Sequence, residues 1–290
     1  FLISAVYYSA PRIPIWVIIS LLFFYPVSFG LILGNFAIPI SAVLIAAFSA
    51  ITKKRQQSKG LQVLWGFLLA WATCKPQFSW LFILTLLLFS IRHHYKWIIL
   101  SFTICLAILI GFSFFILPGW PALWFAQAAR YAEYNQTWLM ITFFTMQVLS
   151  IKSAILTSIL LAAISLPATY LIVKRWWHGS IDELVVFTWA ALITFLFHPR
   201  GKSYEQIIYL IPMILWICRL NNLRSWKVVL FWFGNLLFFG ITFYLSLFPG
   251  QPASLIEWPI AGFVFWFAWL VVSSRLQSQG KRFIRDGLRL

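Results

Sequence analysis

Carboxylates are nearly missing from this chain: six Asp and Glu stand among 290 residues, against 22 Lys and Arg. Charged residues of both signs make up only 10%, where soluble domains carry about 25%. Too few polar side chains remain to cover a water-facing surface. A soluble globular fold is thereby excluded, and lipid is the solvent that fits. Cysteine is scarce as well. Cys74, Cys105 and Cys218 stand alone within or at the ends of apolar runs. They show no CxxC or metal spacing and read as small apolar packing residues. His93 and His94 are adjacent, not four apart on one helix face, and lie beside Arg92 and Lys96. They fit an interfacial pair better than metal ligands, so neither metal nor cofactor is expected. A nucleotide-binding glycine loop, a DxD pair, a nucleophile elbow and HExxH are also absent. That argues against a soluble nucleotide-sugar or ATP enzyme.

What is abundant is apolar and aromatic: 62% hydrophobic residues, 20% aromatic, with 17 Trp. Many tryptophans flank polar stretches, where amphipathic rings settle at headgroup level. The net charge of +16 comes from short basic clusters between apolar runs. Such clusters are not a stripe on a soluble face, so nucleic acid is not an expected partner and anionic membrane lipids are.

A helix crosses the hydrocarbon in about twenty residues, sometimes seventeen. Apolar runs fall near 14–33, 36–52, 60–74, 76–91, 97–117, 153–173, 183–198, 203–218, 228–248 and 255–273. Runs without strand-like alternation span as helices. The expected fold is therefore all-α, a polytopic integral membrane protein with about ten transmembrane helices. It forms one membrane domain over 1–274, followed by a basic cytoplasmic tail at 275–290. Basic clusters bracket 60–91 on both sides, so that stretch reads as a helical hairpin tipped by Lys75, with Pro76 in the first turn of the returning helix. The segment 118–151 opens on a turn-rich LPGWP and reads as an external loop with interfacial helices. With this threading, all Lys and Arg except Lys75, Arg130, Lys152, Arg200 and Lys202 fall on one side. By the positive-inside rule that side is cytoplasmic, which suits a multi-pass plasma-membrane protein with a cytoplasmic C-terminus. Asp182 and Glu183 fit a helix start favoured by the macrodipole. Phe1 to Tyr8 read as the inner end of a further apolar segment, so the chain is expected to lack upstream helices.

Polar chemistry gathers at the external loops. The densest group runs His198, Pro199, Arg200, Gly201, Lys202, Ser203, Tyr204, Glu205. Arginine forks onto two phosphate oxygens and lysine adds a mobile point charge, so a phosphate site is one reading. The other is an interfacial loop whose cations reach lipid phosphates. Lys75 is a second candidate: at a hairpin tip it meets external headgroups, or, if the tip is recessed, a protein cavity. Gly34-Asn35 forms a tight external turn. Asn135, Gln136 and Thr137 match a glycosylation sequon, a short and weak signal.

In this order the features resemble glycosyltransferase family 87, polytopic enzymes of the GT-C architecture that include mannosyltransferases using polyprenyl-phosphate sugars. The matching pieces are Gly34-Asn35, the CKPQ of Cys74 to Gln77, the YNQT of Tyr134 to Thr137, and FHPRGKSYEQIIYLIP from Phe197 to Pro212. Asn35 departs from the glutamine expected in the family. The resemblance implies a hexose, mannose in the first instance, moved from a polyprenyl-phosphate donor to a lipid or glycan acceptor at the external face. Lys75, His198, Arg200 and Lys202 would then hold the donor phosphate. Asn35, Asn135 and Gln136 would belong to the acceptor side. Inverting transfer needs a carboxylate near the acceptor hydroxyl. The resemblance implies that this base is an aspartate in a first external loop, which would lie upstream of Phe1. Glu133 and Glu205 are the resident candidates. Two other readings stand: a transporter or flippase of a lipid-linked intermediate, and an O-antigen polymerase or ligase.

Overall fold

A computed structural model describes residues 25–53, 57–135 and 154–197, with the isolated positions Ser4, Ala5, Ile207, Ile211, Pro212, Leu215, Phe233 and Leu237. Among the described residues the regular structure is entirely helical. The helices are α1 (Tyr25–Ile32), α2 (Ala37–Thr52), α3 (Lys59–Trp71), α4 (Pro76–Arg92), α5 (Lys96–Ile116), α6 (Trp120–Asn135), α7 (Ala154–Trp177) and α8 (Glu183–Leu196), with a short 3-10 turn, Ala72–Cys74, after α3. Apart from those isolated positions, the expected spans at 203–218 and 228–248 lie outside the described residues, as do the span at 255–273 and the tail at 275–290.

Local chemistry accounts for where the helices begin. Ser58 Oγ accepts from the Leu61 N–H at 3.3 Å and starts α3. Pro76 occupies the first turn of α4, where its missing N–H costs nothing. Asp182 Oδ1 accepts from the Leu184 N–H at 2.9 Å, so the Asp182-Glu183 pair does start a helix. Three helices end alike, each with a left-handed residue followed by a bond back across five residues. Gly34 (φ 61°), His94 (φ 59°) and Gly179 (φ 75°) take the left-handed position. The next residues, Asn35, Tyr95 and Ser180, donate to the Gly30, Ser90 and Arg175 carbonyls, each at 2.8 Å. Glycine adopts that conformation freely, whereas His94 does so against its Cβ.

Helix α4 sits at the centre, packed against α2, α5 and α8. Its core is aromatic: the Phe187 ring lies 4.8 Å from Phe48 and 5.0 Å from Phe82, and Phe89 lies 4.9 Å from Trp176. Such tilted and edge-on pairs suit the ring quadrupoles. The contacts also fix directions. Asn35 meets Lys75 just before α2 and α4 begin, and Phe48 meets Phe89 near their ends, so α2 and α4 run parallel. His93 meets Glu183, so α8 starts where α4 stops and runs back along it. The last turn of α7 joins the same end through Arg92 and Trp176. Lys53, Lys59, Arg92, Lys96, Lys174 and Arg175 therefore gather at one end of the bundle, and Lys75 at the other.

The tip at Lys75 is present, but α3 takes α5, not α4, as its long-range partner. Ser101 Oγ donates to the Val63 carbonyl at 2.8 Å, and a Cβ on Gly66 would stand 2.4 Å from the Ile98 carbonyl oxygen. Small residues let two apolar helices approach this closely where no water drives them together. The turn at Lys75 and Pro76 is as expected, but its two arms are not each other's main partners. Helices α3 and α5 pack directly on each other in the same direction, and α4 returns antiparallel to them and packs on α5. Among the described residues two helices, α5 and α7 from Ile159 onward, are long and apolar enough to cross a membrane. Ala37–Thr52, Pro76–Arg92 and Glu183–Thr194 are apolar but shorter.

Candidate functional site

Two of the turns singled out in the sequence meet at the end of the bundle away from the basic cluster. Asn35 Oδ1 accepts from the Ala37 N–H at 2.8 Å, an Asx turn that ties the Gly34-Asn35 corner to the start of α2. The same oxygen lies 3.5 Å from Lys75 Nζ, a polar contact at the outer limit of hydrogen bonding. The Lys75 ammonium also stands 5.9 Å from the centre of the Phe78 ring. Below it the turn is fixed by Ser79, whose hydroxyl donates to the Ala72 carbonyl at 2.7 Å and whose N–H donates to the Lys75 carbonyl at 3.2 Å. Lys75 is half-buried, and its backbone is held from both sides.

Depth follows from helix lengths. Helices α3, α4 and α5 are 13, 17 and 21 residues long and share a level at the basic end, where Lys59 of α3 and Lys96 of α5 both reach the Trp97 ring. At 1.5 Å rise per residue the Lys75 tip lies roughly 6–12 Å short of the far end of α5. The neighbouring corner is apolar as well as exposed, with Leu31, Ile32, Leu33 and Phe36 all open. A lysine set back from the end of the bundle is expensive to leave facing lipid, and Lys75 turns instead to the Asn35 amide oxygen and the Phe78 ring.

Of the other sequence candidates, Glu133 and Asn135 lie in α6, a helix within the segment expected to carry interfacial helices. Gln136, His198, Arg200, Lys202 and Glu205 lie outside the described residues. Cys74 does not pack as expected: it is exposed, because the 3-10 turn carries it to the outside.

Sequence reasoning also missed a second polar cluster, at the basic end. Arg92 Nη1 donates to the Trp176 carbonyl, and its guanidinium lies 4.6 Å from the centre of the Trp176 ring. Beside it His93 Nε2 and Glu183 Oε1 stand 3.6 Å apart, closer to an ion-pair contact than to a hydrogen bond. The only hint in the sequence was that arginine, histidine and glutamate each occupy a turn between apolar runs. No family model, no curated protein and no solved structure matches this chain.

Proposed function

We propose that this chain is a multi-pass membrane hexosyltransferase that takes its sugar, mannose in the first instance, from a polyprenyl-phosphate donor and delivers it to a lipid or glycan acceptor. In this reading about ten helices cross the plasma membrane, the basic end and the C-terminus are cytoplasmic, and chemistry occurs at the opposite face. The observation that carries it is the meeting of Lys75 and Asn35 at a tip set back from the end of α5. An anion that arrives at that depth by lateral diffusion is a lipid phosphate, which needs no nucleotide fold to hold it. The resemblance to glycosyltransferase family 87 adds the sugar. Lys75, with His198, Arg200 and Lys202 from the stretch of chain that follows α8, would neutralise the departing polyprenyl phosphate as charge develops on it. Glu133, Glu205 or a carboxylate from an upstream loop would take the acceptor proton.

The test is consumption of a radiolabelled polyprenyl-phosphate hexose by the full-length protein in membranes. Arg200→Ala and Lys75→Ala are each expected to weaken donor use by at least about tenfold, from charge-assisted hydrogen bonds worth roughly 1.5–3 kcal/mol. Arg200→Lys recovers part of the loss, because the fork geometry is gone. Solute uptake without donor consumption would replace this reading with a transporter, and unchanged donor kinetics in both alanine variants would remove the phosphate site.

Topology has its own test. In intact cells Gly201→Cys and Gln251→Cys are expected to react with an impermeant maleimide, and Ser58→Cys is not. Native Cys74 labels from the same side as Gly201→Cys. Labelling of Ser58→Cys from outside overturns the orientation.

A further inference from the structure

We infer that the paired starts of α3 and α5 form a binding site for an anionic phospholipid of the leaflet at the basic end. Lys59 opens α3 and Lys96 opens α5, and both ammonium groups converge on one indole: Lys59 Nζ lies 5.7 Å and Lys96 Nζ 5.9 Å from the centre of the Trp97 ring. Both lysines are exposed. The ring attracts each cation through its quadrupole, so both ammonium groups stand within 6 Å of the centre of one indole.

The ion pair of His93 with Glu183, among the described residues, involves neither lysine. Among the described residues Asp182 accepts from the Leu184 N–H and Glu183 faces His93, so both carboxylates act at the start of α8. Space is available beside Lys59, since a Cβ on Gly60 would meet nothing within 4 Å.

What lies beneath the lysines selects a lipid over a free anion. Four and eight residues after Lys59 come Val63 and Phe67, and at the same steps after Lys96 come Leu100 and Ile104; all four are exposed. Those steps keep each set on one helix face. Because α3 and α5 run parallel, the two stripes descend side by side, each headed by a lysine. A phosphate between the lysines would leave its acyl chains along Val63, Phe67, Leu100 and Ile104. The indole of Trp97 supplies the headgroup-level anchor common at such boundaries. Basic pockets between transmembrane helices select anionic headgroups in this way. The inference requires that α5 crosses a membrane and does not depend on the chain being an enzyme.

The experiment is lipid titration of the purified full chain, followed by native mass spectrometry and by thermal melting. Dioleoyl phosphatidylglycerol is compared with dioleoyl phosphatidylcholine. The natural protein is expected to retain phosphatidylglycerol preferentially and to melt higher with it. Lys59→Gln/Lys96→Gln is expected to weaken that retention about tenfold or more, as two lysines near a lipid surface do. Lys59→Arg/Lys96→Arg keeps it, which shows that the charges rather than the fold were lost. Lys174→Gln/Arg175→Gln, a basic pair elsewhere at the same end, changes it by less than about twofold, since those charges lie outside the pocket. Equal losses in the two glutamine pairs overturn the site in favour of diffuse surface charge. Equal retention of both lipids by the natural protein overturns it outright.

Discussion

Gly66→Leu is expected to yield no monodisperse folded protein after detergent extraction, whereas Gly60→Ala and Gly111→Ala extract and melt like the natural chain or slightly higher. At Gly66 a Cβ alone would stand 2.4 Å from the Ile98 carbonyl oxygen, 2.8 Å from the Phe102 nitrogen and 2.8 Å from the Ser101 Cβ. The first two are backbone atoms on the facing helix and cannot rotate aside. Leucine would therefore drive α3 and α5 apart, lose dispersion along the seam, and break the bond from Ser101 to Val63. Overpacking of one or two methylenes costs about 1–3 kcal/mol, and a whole leucine against backbone exceeds that range. Gly66→Ala should fall between the extremes. At Gly60 and Gly111 an added Cβ meets nothing within 4 Å, so alanine only narrows the unfolded ensemble, a gain of about 0.4–1 kcal/mol. Size-exclusion profiles and thermal melts of the four variants decide it. A Gly66→Leu chain as stable as its parent would show that α3 does not pack on α5 through this seam.

That seam also marks where sequence reading ran out. The limits of the helices were legible: runs at 36–52, 76–91 and 97–117 became Ala37–Thr52, Pro76–Arg92 and Lys96–Ile116, because charge and proline punctuate them. Which helix faces which was not. A helix apolar on every side presents no amphipathic stripe to orient it, and in lipid the residues that choose partners are small ones such as Gly66 and Ser101. The shortness of α3 was visible in advance, since its apolar run ends at the CKPQ, yet its consequence was not. Only its alignment with the longer α5 sets Lys75 back from the end of the bundle. Likewise Asn35 and Lys75 each stood out as turn residues, but nothing in either turn announces the other across forty positions of chain. The Arg92 cluster was opaque for a different reason: its acceptor is a backbone carbonyl, which any residue type supplies.

Arg92→Ala is expected to destabilise the protein by about 2–4 kcal/mol, the larger of the side-chain deletions foreseen at the basic end. Helices α4 and α7 both terminate there, each leaving carbonyls without intrahelical donors and the negative end of its macrodipole. Arg92 sits in the last turn of α4 and donates to the Trp176 carbonyl in the last turn of α7, so one cation serves two helix ends. Its guanidinium also covers the ring of Trp176, which is fully buried against Phe89. A charge-assisted hydrogen bond contributes roughly 1.5–3 kcal/mol, and the stacked cation adds about 0.5–2 kcal/mol where it is partly desolvated. Arg92→Lys keeps the charge but neither the planar stack nor the fork, and should recover less than half. A double-mutant cycle with Trp176→Phe separates the parts, since phenylalanine keeps the backbone acceptor while weakening the ring term. Coupling of about 0.5–2 kcal/mol is expected from that cycle. Equilibrium unfolding of the four proteins measures both quantities. An Arg92→Ala protein within about 0.5 kcal/mol of its parent, the range of an ordinary surface change, would mean that Arg92 does not tie α4 to α7, leaving that end to Phe89, Trp176 and the His93–Glu183 pair.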